Sequence, residues 1–116
     1  MQRRFRLRRN DDFARLRREG RTYHHNWMAL SLAPNGLLYN RYGFVTGKSL
    51  GKAVTRNRVR RLLRESVRLL HPHLLAGYDI VLIARPPVVG QPFAAVKRIV
   101  DQLAQRAGIL VEGEEM

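Results

Sequence analysis

Residues 46–66, TGKSLGKAVTRNRVRRLLRES, hold the side chains whose types and spacing could do chemistry. Two chemistries compete for them. Gly47-Lys48-Ser49 ends like a loop that wraps backbone N–H groups round nucleotide phosphates, but such a loop needs four residues between its glycines, and Gly43 and Gly47 enclose three. No acidic partner for a magnesium ion stands out on a later strand. Gly47 and Gly51 therefore read as a flexible, basic connection from a strand to a helix.

The second chemistry is phosphate binding by arginine. At ~100° per residue, with Val59 at zero, residues Val59, Leu62, Leu63, Val67 and Leu70 make one apolar stripe, while Asn57, Arg61, Arg64 and Arg68 lie about 140° to 200° away. Arg58 and Arg60 flank that outer face, and Glu65 alone relieves its charge. Like charges at i and i+4, Arg60 with Arg64 and Arg64 with Arg68, each cost a free helix a few tenths of a kcal/mol. A merely solvated face, the alternative, would intersperse glutamates. Phosphate is the ligand that this face suits. A membrane surface would require the apolar stripe that the core needs.

Other constellations carry less. His71-Pro72-His73 is the tightest histidine pair, yet no acid sits beside it and the chain has no cysteine. A positive group suits the end of a helix, so both read as a solvated terminus. His24 and His25 fall in a strand pattern, where neighbouring side chains face opposite ways. No paired carboxylates and no Ser/His/Asp set stand out, so neither a catalytic residue nor a metal ligand is assigned.

The elements that must position these residues follow from pattern. Asn10-Asp11-Asp12 before Phe13 and Leu16 predicts a first helix stopped at Gly20. Tyr23 to Ala33 predicts a strand that turns at Pro34-Asn35-Gly36 and pairs antiparallel with a second over Leu38 to Thr46. Along the first of these, Met28, Leu30 and Leu32 make the core face. That expectation puts Trp27, with Tyr23, on a groove facing the first helix, a packed tryptophan being the alternative. The period predicts a second helix over Thr55 to Leu70, ended by Pro72. Tyr78 to Ala84 reads as a central strand, and Phe93 to Ala107 as a third helix stopped at Gly108. An α+β fold results, a small two-layer sandwich with about four strands and three helices.

The totals agree with a nucleic-acid partner. Of 116 residues 22 are Lys or Arg, 19 of them Arg, against 9 Asp or Glu, a net charge of +13. Residues 1–68 hold 18 basic and 4 acidic groups, so the binding half is N-terminal. A guanidinium forks onto phosphate and stacks on bases, which suits an ordered interface. At 45% hydrophobic residues the chain folds rather than remaining a basic tail. One domain over 1–116 is expected, with a basic arm at 1–9 and a disordered tail at 109–116. Nothing indicates secretion or a membrane span, so the cytoplasm is the expected compartment. Charge alone leaves DNA open; aromatics near the basic half favour RNA.

GKAVTRNRVRRLLRES, with Arg56-Asn57-Arg58 at its centre, closely resembles the RNR motif of the bacterial ribonuclease P protein component. FRLRRNDDF, RYGFVTGKSLGKAV and DIVLIARPP occur in the family's order, so the resemblance runs to about Gly108. It implies an accessory subunit of an endoribonuclease whose RNA removes the 5′ leader from precursor tRNA, and a left-handed β-α-β crossover in the fold. By similarity Lys48, Lys52, Arg56, Asn57, Arg58, Arg60, Arg61 and Arg64 would hold the ribonuclease P RNA, joined by Arg68 from the outer face. The leader would lie in a cleft beside Phe13, Arg17 and Trp27. Arg17 replaces a family aromatic, and Lys48-Ser49 replaces a usual lysine pair. Mg²⁺ would serve the RNA and its substrate rather than a protein site. A ribosome-associated or nucleoid protein without a processing role is the competing reading.

Overall fold

The computed structural model describes residues 5–7 and 10–111. In chain order these form α1 (Asn10–Glu19), β1 (Arg21–His24), β2 (Met28–Pro34), β3 (Arg41–Val45), α2 (Ala53–Leu70), β4 (Tyr78–Ala84) and α3 (Phe93–Ala107). The sheet order is β1-β2-β4-β3. β4 runs antiparallel to β2 and parallel to β3, so β3-α2-β4 is a crossover unit and the fold is α+β, with four strands and three helices. YDIVLIA is central, as its apolar run requires.

Two strand expectations are corrected. β2 and β3 do not pair, because β4 lies between them. The run from Tyr23 to Ala33 is a hairpin rather than one strand: His25 N–H donates to the Met28 carbonyl at 2.8 Å, and Trp27 N–H donates to His25 Nδ1 at 3.0 Å. Its register places Tyr23 opposite Leu30 and Thr22 opposite Ser31. Paired residues share a face, so the turn reverses the odd-even pattern between the strands. Tyr23 thereby joins the face of Met28, Leu30 and Leu32.

That face forms the larger core with α2 and α3, through Val59, Leu63, Val67 and Leu70 of the one and Val96, Val100 and Leu103 of the other. Burying each such aliphatic side chain contributes roughly 1.5 to 3 kcal/mol, which outweighs the few tenths that each like-charged arginine pair costs α2. The helix can therefore carry an unbalanced outer face. α1 lies across the other face, packing Leu16 against Ala33 and Val81, with Phe13 alongside. Gly20 N–H bonds the Leu16 carbonyl at 2.8 Å and ends that helix.

α1 is also tied to the sheet by ions. Asp79, fully buried at the start of β4, accepts Arg15 Nη2, Arg41 Nε at 2.9 Å, Arg41 Nη2 at 2.8 Å and Asn35 Nδ2 at 3.0 Å. Arg15 Nη1 adds a bond to the Pro34 carbonyl, and Arg41 reaches Asp12. Bonding to Asp79 raises the Arg41 pKa above its ordinary value.

Residues 5–7 and 109–111 are held by contacts that composition does not suggest. The arm's residues 1–4, 8 and 9 lie outside the described residues, but Leu7 N–H donates to the Tyr42 carbonyl and Arg6 bridges the free edge of β3. Phe5 lies edge-on to Tyr39 at 5.7 Å and tilted against His71 at 5.1 Å. At the other end Gly108, at φ +75°, turns the chain back; Ile109 is buried and Leu110 bridges Leu74. The disordered tail expected over 109–116 is thus contradicted at 109–111, while 112–116 lie outside the described residues.

Candidate nucleic-acid interface

The basic connection is built as a lead-in to α2. Lys48–Leu50 form a single 3₁₀ turn, anchored by buried Leu50 and followed by Gly51 at φ +122°, a conformation that favours glycine. Lys48 and Lys52 are exposed on either side of it. Lys52 caps α2 without a side-chain hydrogen bond, and no acid lies in the first turn. The helix thus begins with uncompensated positive charge. Gly43 serves packing: a Cβ there would meet the Phe13 ring at 3.1 Å.

Along α2 the wheel is realised. Asn57, Arg58, Arg61 and Arg68 are exposed, and Arg60 and Arg64 are half-buried where the helix passes β3. Arg60 is fixed by neutral groups, with Nη1 donating to Asn57 Oδ1 at 2.9 Å and Nη2 to Thr46 Oγ1 at 2.6 Å. Burial, then the nearby charges of Arg6 and Arg60, lower the Arg64 pKa from its ordinary value. Arg68 differs, because Nη2 and Nε bond both oxygens of Glu65 at 2.6 and 2.9 Å. That fork lowers the Glu65 pKa and raises that of Arg68. Arg56 lies on the inner flank of the helix, its Nε buried without a partner among the described residues.

A cleft of about 340 Å³ lies between α1 and the sheet, walled by Phe13, Leu16 and Arg17 and floored by Ser31, Val81 and Ile83. Phe13 and Arg17 are together there as expected. Trp27 is not: it packs against the larger core on the opposite face, edge-on to His25 at 5.6 Å. Tyr23 is likewise on that face, between Arg21 and Arg106. The hairpin reversal accounts for both. In their place the cleft holds Thr22 and Ser31, whose hydroxyls are 2.8 Å apart.

His71 is no solvated terminus. Its Nδ1 is 2.6 Å from the Tyr42 hydroxyl, and Asn40 Nδ2 approaches the same oxygen at 3.4 Å. Burial pushes the Tyr42 pKa up to about 12, while the hydrogen bond from Asn40 acts to lower it. Among the described residues no three His, Asp or Glu side chains gather as a metal site, and no helix is long and apolar enough to cross a membrane.

A basic helix beside an amphipathic cleft on one small α+β frame is the arrangement against which relatives can be compared. Residues 1–108 match the family model described as Ribonuclease P. This chain belongs to the bacterial ribonuclease P protein family. It is 49% identical over 111 residues to the ribonuclease P protein component of Roseiflexus sp. strain RS-1, covering 95% of this chain and 91% of that one. It is 37% identical over 108 residues to that of Caldanaerobacter subterraneus, covering 93% of each. Among solved structures the RNase P protein of Staphylococcus aureus superposes with a TM-score of 0.85 at 27% identity, over 91% of this chain and 97% of that one. That of Thermotoga maritima gives 0.80 at 30% identity, over 87% and 96%. As a family member the chain is a subunit of ribonuclease P, with ribonuclease P RNA as its partner.

Residue patterns alone missed three features of the interface. Thr46 holds Arg60, Arg6 joins Arg60 and Arg64 beside Tyr42 and Phe44, and Asp79 fixes α1. Asp79 did give a signal, as a carboxylate within an apolar strand run. The other two depend on contacts between distant segments.

Proposed function

We propose that α2 and its lead-in grip the RNA subunit while the cleft under α1 takes the 5′ leader of precursor tRNA, and that the RNA performs the cleavage. The observation that carries this reading is the division of labour across the sheet. A carboxylate-poor arginine face flanks β3 on one side, and a mostly apolar cleft with Phe13, Arg17 and a hydroxyl pair flanks it on the other. Arginines held by neutral partners keep their charge for phosphates. An aromatic ring beside a guanidinium offers an unpaired base two stacking surfaces. Lys48, Lys52, Asn57, Arg58, Arg60, Arg61 and Arg64 are assigned to the RNA, Arg56 and Arg68 to its margins, and Phe13 and Arg17 to the leader.

Glu65 is committed to Arg68, so Mg²⁺ near this face is read as held by RNA and substrate phosphates. The cytoplasm is the proposed compartment. The test is reconstitution with a bacterial ribonuclease P RNA at low magnesium. Precursor-tRNA cleavage above that of the RNA alone is expected; no gain would refute the reading.

A further inference from the structure

We infer that the N-terminal arm and α2 together form a single phosphodiester site, in which Arg6, Arg60 and Arg64 close on one RNA phosphate at the free edge of β3. A groove of about 140 Å³ there is bordered by these three arginines, with Tyr42 and Phe44 beside them. They come from segments more than fifty residues apart in sequence. Residues 6 and 7 of the arm are placed by backbone contacts, Leu7 N–H to the Tyr42 carbonyl at 2.8 Å with Arg6 bridging Tyr42, so the position of Arg6 does not depend on its charge. Arg60 is oriented by Asn57 and Thr46, both neutral.

Among the described residues no carboxylate borders the groove, and neither Arg6 nor Arg64 has an ion-pair partner. Three cations around one small, partly desolvated space repel one another unless an anion lies between them, and Arg64 registers that repulsion. Guanidinium groups suit the several oxygens of a single phosphate. The strand adds a neutral donor: the Tyr42 carbonyl points to the outer edge, and the two-residue period puts the Phe44 amide on that same edge. The volume accommodates one tetrahedral phosphate, and the three positive charges around it favour an anion over a neutral base. Recognition there would accordingly be of backbone rather than of sequence.

The inference deepens the RNA-binding reading and rests on it. Two sources share this chemistry, the ribonuclease P RNA and the precursor-tRNA leader. The test measures affinities of the full-length wild type, Arg6→Gln, Arg64→Gln and the double variant for the RNA subunit alone. It then measures affinities of the reconstituted holoenzymes for precursor tRNA with and without its leader. Each single change is expected to weaken one of these interactions about tenfold and to lower its salt slope by ~0.7 to 0.9. The double variant should lose distinctly less than the product of the two, because both side chains serve one phosphate. A loss for the RNA subunit assigns the phosphate to it, and a loss confined to leader-bearing substrate assigns it to the leader. Unchanged affinity in Arg6→Gln, or losses that simply multiply, would overturn the shared site. Failure of the wild type to bind the RNA subunit would instead refute the underlying reading.

Discussion

Replacing Asp79 by Asn should detach α1 from the sheet while sparing α2. Asp79 is fully buried and accepts four hydrogen bonds from Arg15, Arg41 and Asn35, and the two arginine side chains are themselves only 23% and 24% exposed. The amide keeps the shape but loses the charge, and its NH₂ group opposes donors that have no other carboxylate as close. Removing one partner of a buried ion pair costs about 3 to 5 kcal/mol, a large share of the roughly 5 to 15 kcal/mol that holds a domain folded. In urea, with a slope of about 1.5 kcal/mol/M for a chain of this size, the midpoint should fall by about 2 to 3 M. The slope itself should fall somewhat, because a detached α1 leaves less surface to expose on unfolding. The loss is directional, because Arg15 and Asp12 belong to the helix that carries Phe13 and Arg17 over the cleft. Preference of the holoenzyme for leader-bearing over leaderless substrate should therefore fall more than affinity for the RNA subunit. A midpoint shift below about 0.5 M, or equal losses at both surfaces, would refute the view that this carboxylate positions α1.

Other outcomes follow from single contacts. Gly43→Ala puts a Cβ 3.1 Å from the Phe13 ring; it should destabilise by roughly 1 to 3 kcal/mol and weaken leader binding, as read by chemical denaturation and leader-length dependence. Changing Arg60, Arg61 and Arg64 together to Ala should flatten the log-log salt dependence of RNA binding by up to about two units, and an unchanged slope would mean another face is used. Tyr42, with its pKa raised to about 12, keeps its proton where free tyrosines lose theirs. Its stabilising contribution is therefore present below about pH 10 and lost as pH rises towards 12, and tyrosinate absorbance should show a late component that Tyr42→Phe removes. Gly108→Ala, forced to φ +75°, should cost about 1 kcal/mol and lower Tm by about 4 °C.

The fold was legible where burial is periodic and local. The stripe of α2 and that of α3 lie where a helical wheel puts them, and Gly20 and Gly108 end α1 and α3 as the sequence pattern predicts. The first strand run failed for a definite reason. An antiparallel hairpin without a glycine or proline gives no break in the Tyr23–Ala33 pattern, and its tight turn at His25–Trp27 is closed by the histidine's own ring nitrogen. One hidden turn then reversed the parity of every residue before it, moving Tyr23 and Trp27 to the other face. Strand pairing failed similarly, since β4 enters between β2 and β3 only after eighteen residues of α2.

The candidate site divides along the same line. Which way each arginine of α2 points follows from angle alone, and the four residues read as outermost are exposed or, for Arg64, half-buried. What each arginine can do depends on groups that no local window contains. Arg60 is oriented by Thr46, fourteen residues back across the basic connection, while Arg68 spends its fork on Glu65 and has less charge to offer a phosphate. Arg56 is the sharpest instance. The wheel sets it about 60° from Val59, beside the apolar stripe, and its Nε is buried without a partner among the described residues. An orphaned donor of this kind carries a desolvation cost of about 1 to 3 kcal/mol, which a phosphate reached by the outer end of the guanidinium could offset. Arg56→Lys keeps the charge but removes Nε–H. If that balance holds, the substitution should stabilise the free protein slightly and still weaken RNA binding, a combination that simple loss of packing cannot produce.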